Sequence, residues 1–190
     1  MTKIGFIRHG ITDWNAAQRI QGQTDIPLNE TGRSQVRALA ERLRDEAWDY
    51  IYSSDLSRAR ETAEIIARAI GLSLVLDQRL REMGCGQIEG TTLEERVSRW
   101  GDDWRTHSLG IETKESIVSR GLSFVTEIVD RHPDANVLIV SHGAILRQTL
   151  LHLLPPAACQ ERLRNTSVTA LTYRQGDWSC ELYNCVKHIK

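Results

Sequence analysis

Two short apolar runs in this chain each end in a histidine followed at once by glycine. Ile4-Gly5-Phe6-Ile7 leads into Arg8-His9-Gly10, and Val137-Leu138-Ile139-Val140 leads into Ser141-His142-Gly143. Apolar, β-branched runs of this length bounded by a glycine turn read as buried strands. In an open, mostly parallel α/β sheet the carboxyl ends of the strands share one edge, and ligands bind there. The pattern predicts that His9 and His142, far apart in the chain, meet in one pocket.

The rest of the sequence alternates strand and helix. A polar loop is expected over residues 11–28, and Asn29 is placed to cap a helix carrying Val36, Leu39, Ala40 and Leu43. Residues 50–53 and 73–76 read as strands, with Asp55 placed to cap a helix that ends at Ile70. A helix over about 114–131 is stopped by His132-Pro133, and one over about 144–154 by Pro155-Pro156. Residues 168–173 and 178–186 flank Gln175-Gly176-Asp177 and read as an antiparallel hairpin. The least regular stretch, about 81–113, predicts a short helix with Val97, Trp100 and Trp104, in a variable, lid-like insertion over the sheet edge. The expected architecture is one α/β domain over residues 1–190. It is a three-layer α/β/α sandwich on a mainly parallel sheet with an antiparallel edge strand.

Composition narrows the function classes. With 190 residues, 41% hydrophobic, 26% charged and a net charge of -1, the chain is balanced like an ordinary soluble globular protein. It lacks the basic character of a nucleic-acid binder. No segment approaches the roughly 20 apolar residues of a membrane span, and the amino terminus carries no signal-peptide pattern. The four cysteines, Cys85, Cys159, Cys180 and Cys185, form no Cys-x-x-Cys pair and read as free thiols in a reducing cytoplasm. The expected location is therefore cytoplasmic. Neither a nucleic acid nor a membrane is an expected partner. The late hairpin offers an edge that a second copy can cover, which leaves room for a homodimer.

The chemistry gathers at the strand ends. Arg8 and His9 close the first strand, Arg58 falls in the first turn of the helix after the second, and His142 stands just before another helix. Arginines beside helix N-termini suit a small, multiply charged anion such as a phosphoryl group. Nearby arginine charge disfavours protonated imidazole, so His9, next to Arg8, is the candidate nucleophile. A carbonyl in the turn at Gly10 is placed to hold its other nitrogen. His142 is assigned to a phosphoryl oxygen in the transition state. Such a set needs no metal or cofactor. Glu82, on the loop after the next strand, is the candidate acid, because a bound phosphate favours its protonated form.

Taken together these segments resemble the histidine phosphatase superfamily, in its phosphoglycerate mutase-like branch. The matching stretches are residues 8–15 (Arg-His-Gly-Ile-Thr-Asp-Trp-Asn), 53–59 (Ser-Ser-Asp-Leu-Ser-Arg-Ala), Leu80-Arg81-Glu82, 86–90 (Gly-Gln-Ile-Glu-Gly) and 140–143 (Val-Ser-His-Gly), in the family's order. The resemblance implies a phosphohistidine on His9, with Arg8, Arg58 and His142 holding the phosphoryl group and Glu82 giving the proton. It adds Asn15 as a phosphate or substrate contact, and Gln21 with Gly22 as a loop bordering the pocket. It also implies no metal, and a small-molecule phosphomonoester as the partner.

Where cofactor-dependent mutases carry Arg-His-Tyr-Gly after the glutamate, this chain has Met83-Gly84-Cys85-Gly86, a departure that favours a phosphatase. The chain is most similar to the broad-specificity bacterial phosphatases and α-ribazole phosphatase. Phosphoglycerate mutase-type transfer and a catalytically silent phospho-ligand binder are the alternatives. Outside these motifs, Glu94-Glu95-Arg96 reads as a solvated helix face, and Thr166-Ser167 as a turn.

Overall fold

A computed structural model describes residues 1–155 and 161–189, so Pro156 and Cys159 lie outside the described residues. In chain order its elements are β1 (Thr2–Arg8), α1 (Asp13–Ala16), α2 (Glu30–Arg44), β2 (Tyr50–Ser53), α3 (Ser57–Ile70) and β3 (Leu74–Leu76). They continue with α4 (Leu93–Trp100), α5 (Lys114–Arg131), β4 (Asn136–Ser141), α6 (Gly143–Leu153), β5 (Val168–Arg174) and β6 (Asp177–Cys185). The strands form one six-stranded sheet in the order β3-β2-β4-β1-β5-β6. Its first four strands are parallel, and β5 pairs antiparallel with both β1 and β6.

The apolar runs are buried because helices cover both faces. Along β4, Val137 and Ile139 join Ile4 and Phe6 in a core closed by Phe124 and Ile128 of α5 and Leu146 and Leu150 of α6. Leu138 and Val140 point the other way, joining Ile7 in a core closed by Val36 and Leu39 of α2 and Ala63 and Ile66 of α3. The period-two alternation of strand side chains thus builds the three layers. Leu138 is fully buried, and truncating such a leucine to alanine costs about 2–5 kcal/mol.

Register places the site. Arg8 of β1 pairs with Ser141 of β4, and the ladder extends one step further through His9 N–H to the Ser141 carbonyl at 3.0 Å. The residues that follow the two paired strand ends are His9 and His142, so adjacency of β1 and β4 brings them side by side. Gly10 is required by close packing: a Cβ there would stand 2.9 Å from Val36 Cγ2 and 3.0 Å from the Gly32 carbonyl.

Several local expectations are corrected. The loop over 11–28 contains the one-turn α1, closed by a reciprocal capping box between Thr12 and Asn15, and too short to carry an apolar period. Asn29 caps α2 as expected, its side chain accepting from Gly32 N. Asp55 does not cap α3; Leu56 stands at the cap without a side-chain bond. The Asp55 carboxylate is instead held by Arg81, with Nε at 2.7 Å, since a two-pronged guanidinium is a stronger partner than one helix N–H.

Trp100 and Trp104 do not share a helix. Gly101, at φ 80°, ends α4, and Trp104 opens a separate 3-10 turn. Both tryptophans pack with Cys85, Ile88 and Leu109 in an apolar cluster apart from the two main cores. Arg96 is buried rather than solvated, donating to the Thr91 carbonyl at 2.9 Å and stacking 5.0 Å from the Trp104 ring. No helix among the described residues is long and apolar enough to cross a membrane.

Candidate active site

His9 is buried at the carboxyl end of β1, and its Nδ1 lies 2.7 Å from the Gly10 carbonyl. A carbonyl only accepts, so Nδ1 carries the proton and donates. In the neutral ring this leaves the lone pair on Nε2. Burial drives the His9 pKa well below the ordinary 6.5, the charges of Arg8 and Arg58 lower it further, and the Gly10 bond opposes them. The ring is therefore neutral at physiological pH.

His142, fully buried, places its ring centroid 5.1 Å from that of His9. Its pKa is also driven well below 6.5, by burial first and then by the charge of Arg58. Nε2 is 2.8 Å from the Ser54 hydroxyl, and Nδ1 has no hydrogen-bond partner among the described residues.

The arginines flank this pair. Arg58, in the first turn of α3, has no solvent exposure and donates to the carbonyls of Gly22 at 2.7 Å and Thr24 at 2.9 Å. Arg8 donates to the Leu163 carbonyl at 2.7 Å. A Cβ on Gly143 would stand 3.3 Å from Arg8 Nε, which places that nitrogen against the start of α6. Nε of both arginines is buried without a partner among the described residues. Held by neutral carbonyls and in no ion pair among the described residues, the fully buried Arg58 and half-buried Arg8 keep positive charge for an anion.

Glu82 closes the arrangement. Its carboxylate accepts from the backbone N–H groups of Met83 at 2.8 Å, Ala144 at 3.0 Å and Ile145 at 3.1 Å, so it rests on the first turn of α6. Arg120 of α5 fixes the backbone beneath it, donating to the carbonyls of Arg79 at 2.7 Å and Glu82 at 3.0 Å.

Of the expected residues, Arg8, His9, Asn15, Gln21, Gly22, Arg58 and Glu82 line one cleft of about 200 Å³, whereas the fully buried His142 does not line it and packs beside the His9 ring. Asn15 Oδ1 accepts from Thr12 N and Thr12 Oγ1, each at 3.2 Å, and from Asn165 Nδ2 at 3.3 Å. With its oxygen occupied, the Asn15 amide keeps Nδ2 as the donor for a ligand. Gln21 is buried, with Oε1 at 3.0 Å from Thr12 Oγ1. Gly22 contributes its carbonyl to Arg58 rather than a side chain.

The cleft is also lined by Ile20, Met83, Cys85, Ala144 and Arg19. Arg19 is paired in two-pronged fashion with Glu95, at 2.8 and 2.9 Å. Burial pushes the Cys85 thiol up to about 12, which keeps it unreactive. Among the described residues, no group of three or more His, Cys, Asp or Glu is placed to hold a metal ion.

Three supporting residues have no role that the sequence pattern assigns. Ser54 directly follows β2, and strand-end logic alone would have found it. Asn165 Nδ2 donates to the His9 carbonyl at 2.9 Å across 156 positions of chain, with no local signal. Glu89 lies within the Gly-Gln-Ile-Glu-Gly stretch and orders the loop beside Arg58. Thr166 does act in a turn: its N–H donates to the Arg8 carbonyl at 2.9 Å and its hydroxyl to the Asn165 carbonyl at 2.7 Å.

Comparison with known proteins places the chain in a family. The model of the histidine phosphatase superfamily (branch 1) matches residues 4–186. An uncharacterized phosphatase PhoE of Bacillus subtilis is 36% identical over 191 residues, covering 100% of this chain and 97% of the relative. A probable phosphoglycerate mutase GpmB of Yersinia pestis is 37% identical, over 94% of this chain and 88% of its own. Among solved structures, a mycobacterial glucosyl-3-phosphoglycerate phosphatase complexed with VO3 superposes with a TM-score of 0.86 at 31% identity, covering 96% of this chain and 99% of that one.

Proposed function

This chain belongs to the histidine phosphatase superfamily, and from that premise we propose that it is a metal-independent phosphomonoesterase acting through a phosphohistidine on His9. The observation that carries the reading is the neutral, buried His9 ring, its Nδ1 proton committed to Gly10, its lone pair left on Nε2, and the charges of Arg8 and Arg58 acting on it. In the first step Nε2 attacks phosphorus, and the bond from phosphorus to the ester oxygen breaks as Glu82 delivers a proton to that oxygen. The ring gains positive charge on phosphorylation, and the Gly10 carbonyl is already placed to accept the more acidic Nδ1 proton's hydrogen bond.

Arg8 and Arg58 compensate the phosphoryl oxygens throughout, and positioning with charge compensation is the main requirement of phosphoryl transfer. A Ser54 hydroxyl donating to His142 Nε2 leaves the proton of neutral His142 on Nδ1, available to a phosphoryl oxygen. In the second step Glu82 takes a proton from water as its oxygen attacks phosphorus. The N–P bond breaks, inorganic phosphate leaves, and the Nε2 lone pair returns.

The leaving-group side favours hydrolysis of small esters over mutase transfer between phosphoglycerates. Ile20 and Met83 give it an apolar wall, and its one lining cation beyond the phosphoryl pair, Arg19, is engaged by Glu95. The test is turnover of phenyl phosphate and of phosphoglycerate with excess chelator, in wild type and His9→Ala. The reading expects chelator-resistant release of inorganic phosphate that disappears in the variant. Release that needs added metal, or phosphoglycerate isomerised with total ester conserved, contradicts it.

A further inference from the structure

Glu89 takes no part in the steps above, yet its carboxylate carries four hydrogen bonds. Oε1 accepts from Gln23 N at 3.0 Å and Cys85 N at 2.9 Å; Oε2 accepts from Thr24 N at 2.9 Å and from the Thr24 hydroxyl. The loop is shaped around it. Gly22 sits at φ 53°, and a Cβ there would stand 2.0 Å from Glu89 Oε1, so only glycine admits the carboxylate.

The far side of the same loop holds Arg58. Gln23 N–H and Gly22 C=O belong to one planar peptide unit, whose donor and acceptor point opposite ways. Glu89 takes the donor, and the carbonyl thereby faces Arg58, whose guanidinium it holds at 2.7 Å. A second carbonyl, that of Thr24, holds the other prong at 2.9 Å, in a residue whose N–H Glu89 also grips. A charged acceptor at one end of a hydrogen-bonded chain also strengthens the acceptor at the other. The bond to Cys85 N extends the same anchor to the loop that carries Glu82, and Gln23 Nε2 donates to the Glu82 carbonyl at 3.1 Å.

We propose that Glu89 is a positioning residue that sets the phosphoryl-binding geometry of Arg58 through the Gly22–Gln23 peptide unit. The inference rests on the phosphate site of the proposed function and needs no turnover to be tested. A merely structural role would weaken the protein without regard to Arg58; a positioning role is lost when Arg58 is absent.

The experiment is a double-mutant cycle on inorganic phosphate binding, by calorimetry, over wild type, Glu89→Gln, Arg58→Ala and the double variant. Glu89→Gln is expected to weaken phosphate about tenfold beside Arg58 and less than about twofold without it. Equal weakening in both backgrounds, or none in the wild-type background, overturns the inference. Should Glu89→Gln not fold, Thr24→Val removes one of the four bonds at nearly constant volume. It is expected to weaken phosphate about two- to threefold, again only beside Arg58, and weakening that ignores Arg58 overturns the inference. A protein that shows this coupling but hydrolyses no ester refutes the phosphatase reading alone; a phosphatase without the coupling refutes only the role of Glu89.

Discussion

The carboxylate of Glu82 accepts the backbone N–H of Ala144 at 3.0 Å, so the residue assigned to proton transfer rests on the amino end of the helix that follows His142. Free N–H groups at that helix end also suit the oxygens of a phosphoryl group. The proposed acid, the histidine proposed to hold the phosphoryl group and the helix end are thus one structural unit.

That unit makes a leaving-group prediction. Glu82→Gln keeps the shape and loses the proton, so hydrolysis of an alkyl phosphate is expected to slow by about 10²–10⁴. With p-nitrophenyl phosphate, whose phenolate leaves with little help, the loss is expected to be about tenfold or less. Steady-state kinetics on the two esters decide it, and equal losses would remove Glu82 from the role of acid.

Asn165 should matter beyond its contribution to stability. Its Nδ2 braces the His9 carbonyl at 2.9 Å and reaches the Gly10 carbonyl and Asn15 Oδ1, each at 3.3 Å. Asn165→Ala is expected to cost about 1 kcal/mol of stability for the lost bonds. It is also expected to lower kcat about tenfold, because the His9 ring and the Asn15 amide lose their fixed orientation. Nitrogen NMR of the His9 ring gives the independent readout: a loss of the single Nδ1-protonated form should accompany the fall in kcat.

The buried histidines fix a direction for stability against pH. The folded-state pKa values of His9 and His142 lie well below 6.5, so as pH falls through 6.5 the unfolded chain takes up protons that the folded chain refuses. The unfolded state then binds more protons, and stability drops as pH falls, by on the order of 1 kcal/mol per pH unit for each such histidine. Burial also pushes His188 down to about 4, which adds to the same trend. Denaturant titrations from pH 7.5 to 5 should show a falling midpoint, shallower in His9→Asn. Activity should persist into mildly acidic solution as long as the fold does, because His9 stays unprotonated there.

Much of this site was legible because its residues stand at the ends of strongly patterned elements. Ile4 to Ile7 and Val137 to Val140 announce buried strands, and a residue just past such a strand end lies at the binding edge. The side-by-side placement of His9 and His142 is set by the Arg8–Ser141 register, which no local pattern reveals. Asp55 looked like a helix cap because local sequence cannot show that Arg81 claims its carboxylate. Arg96 looked solvated because charge ordinarily marks a surface, and its stacking on Trp104 depends on a turn after α4 that only Gly101 hints at. Asn165 and Glu89 were silent for the same reason: both act on backbone groups of distant loops.

In the proposed mechanism the phosphoryl group is carried on His9 Nε2. The direct measurement is mass spectrometry of enzyme mixed with excess phenyl phosphate and quenched in alkali during turnover. One added phosphoryl group, stable to base and labile to acid, is expected on the peptide carrying His9, and none on His142 or in His9→Ala. An enzyme that turns over substrate with no phosphoryl group on His9, or with the group on another residue, would contradict it.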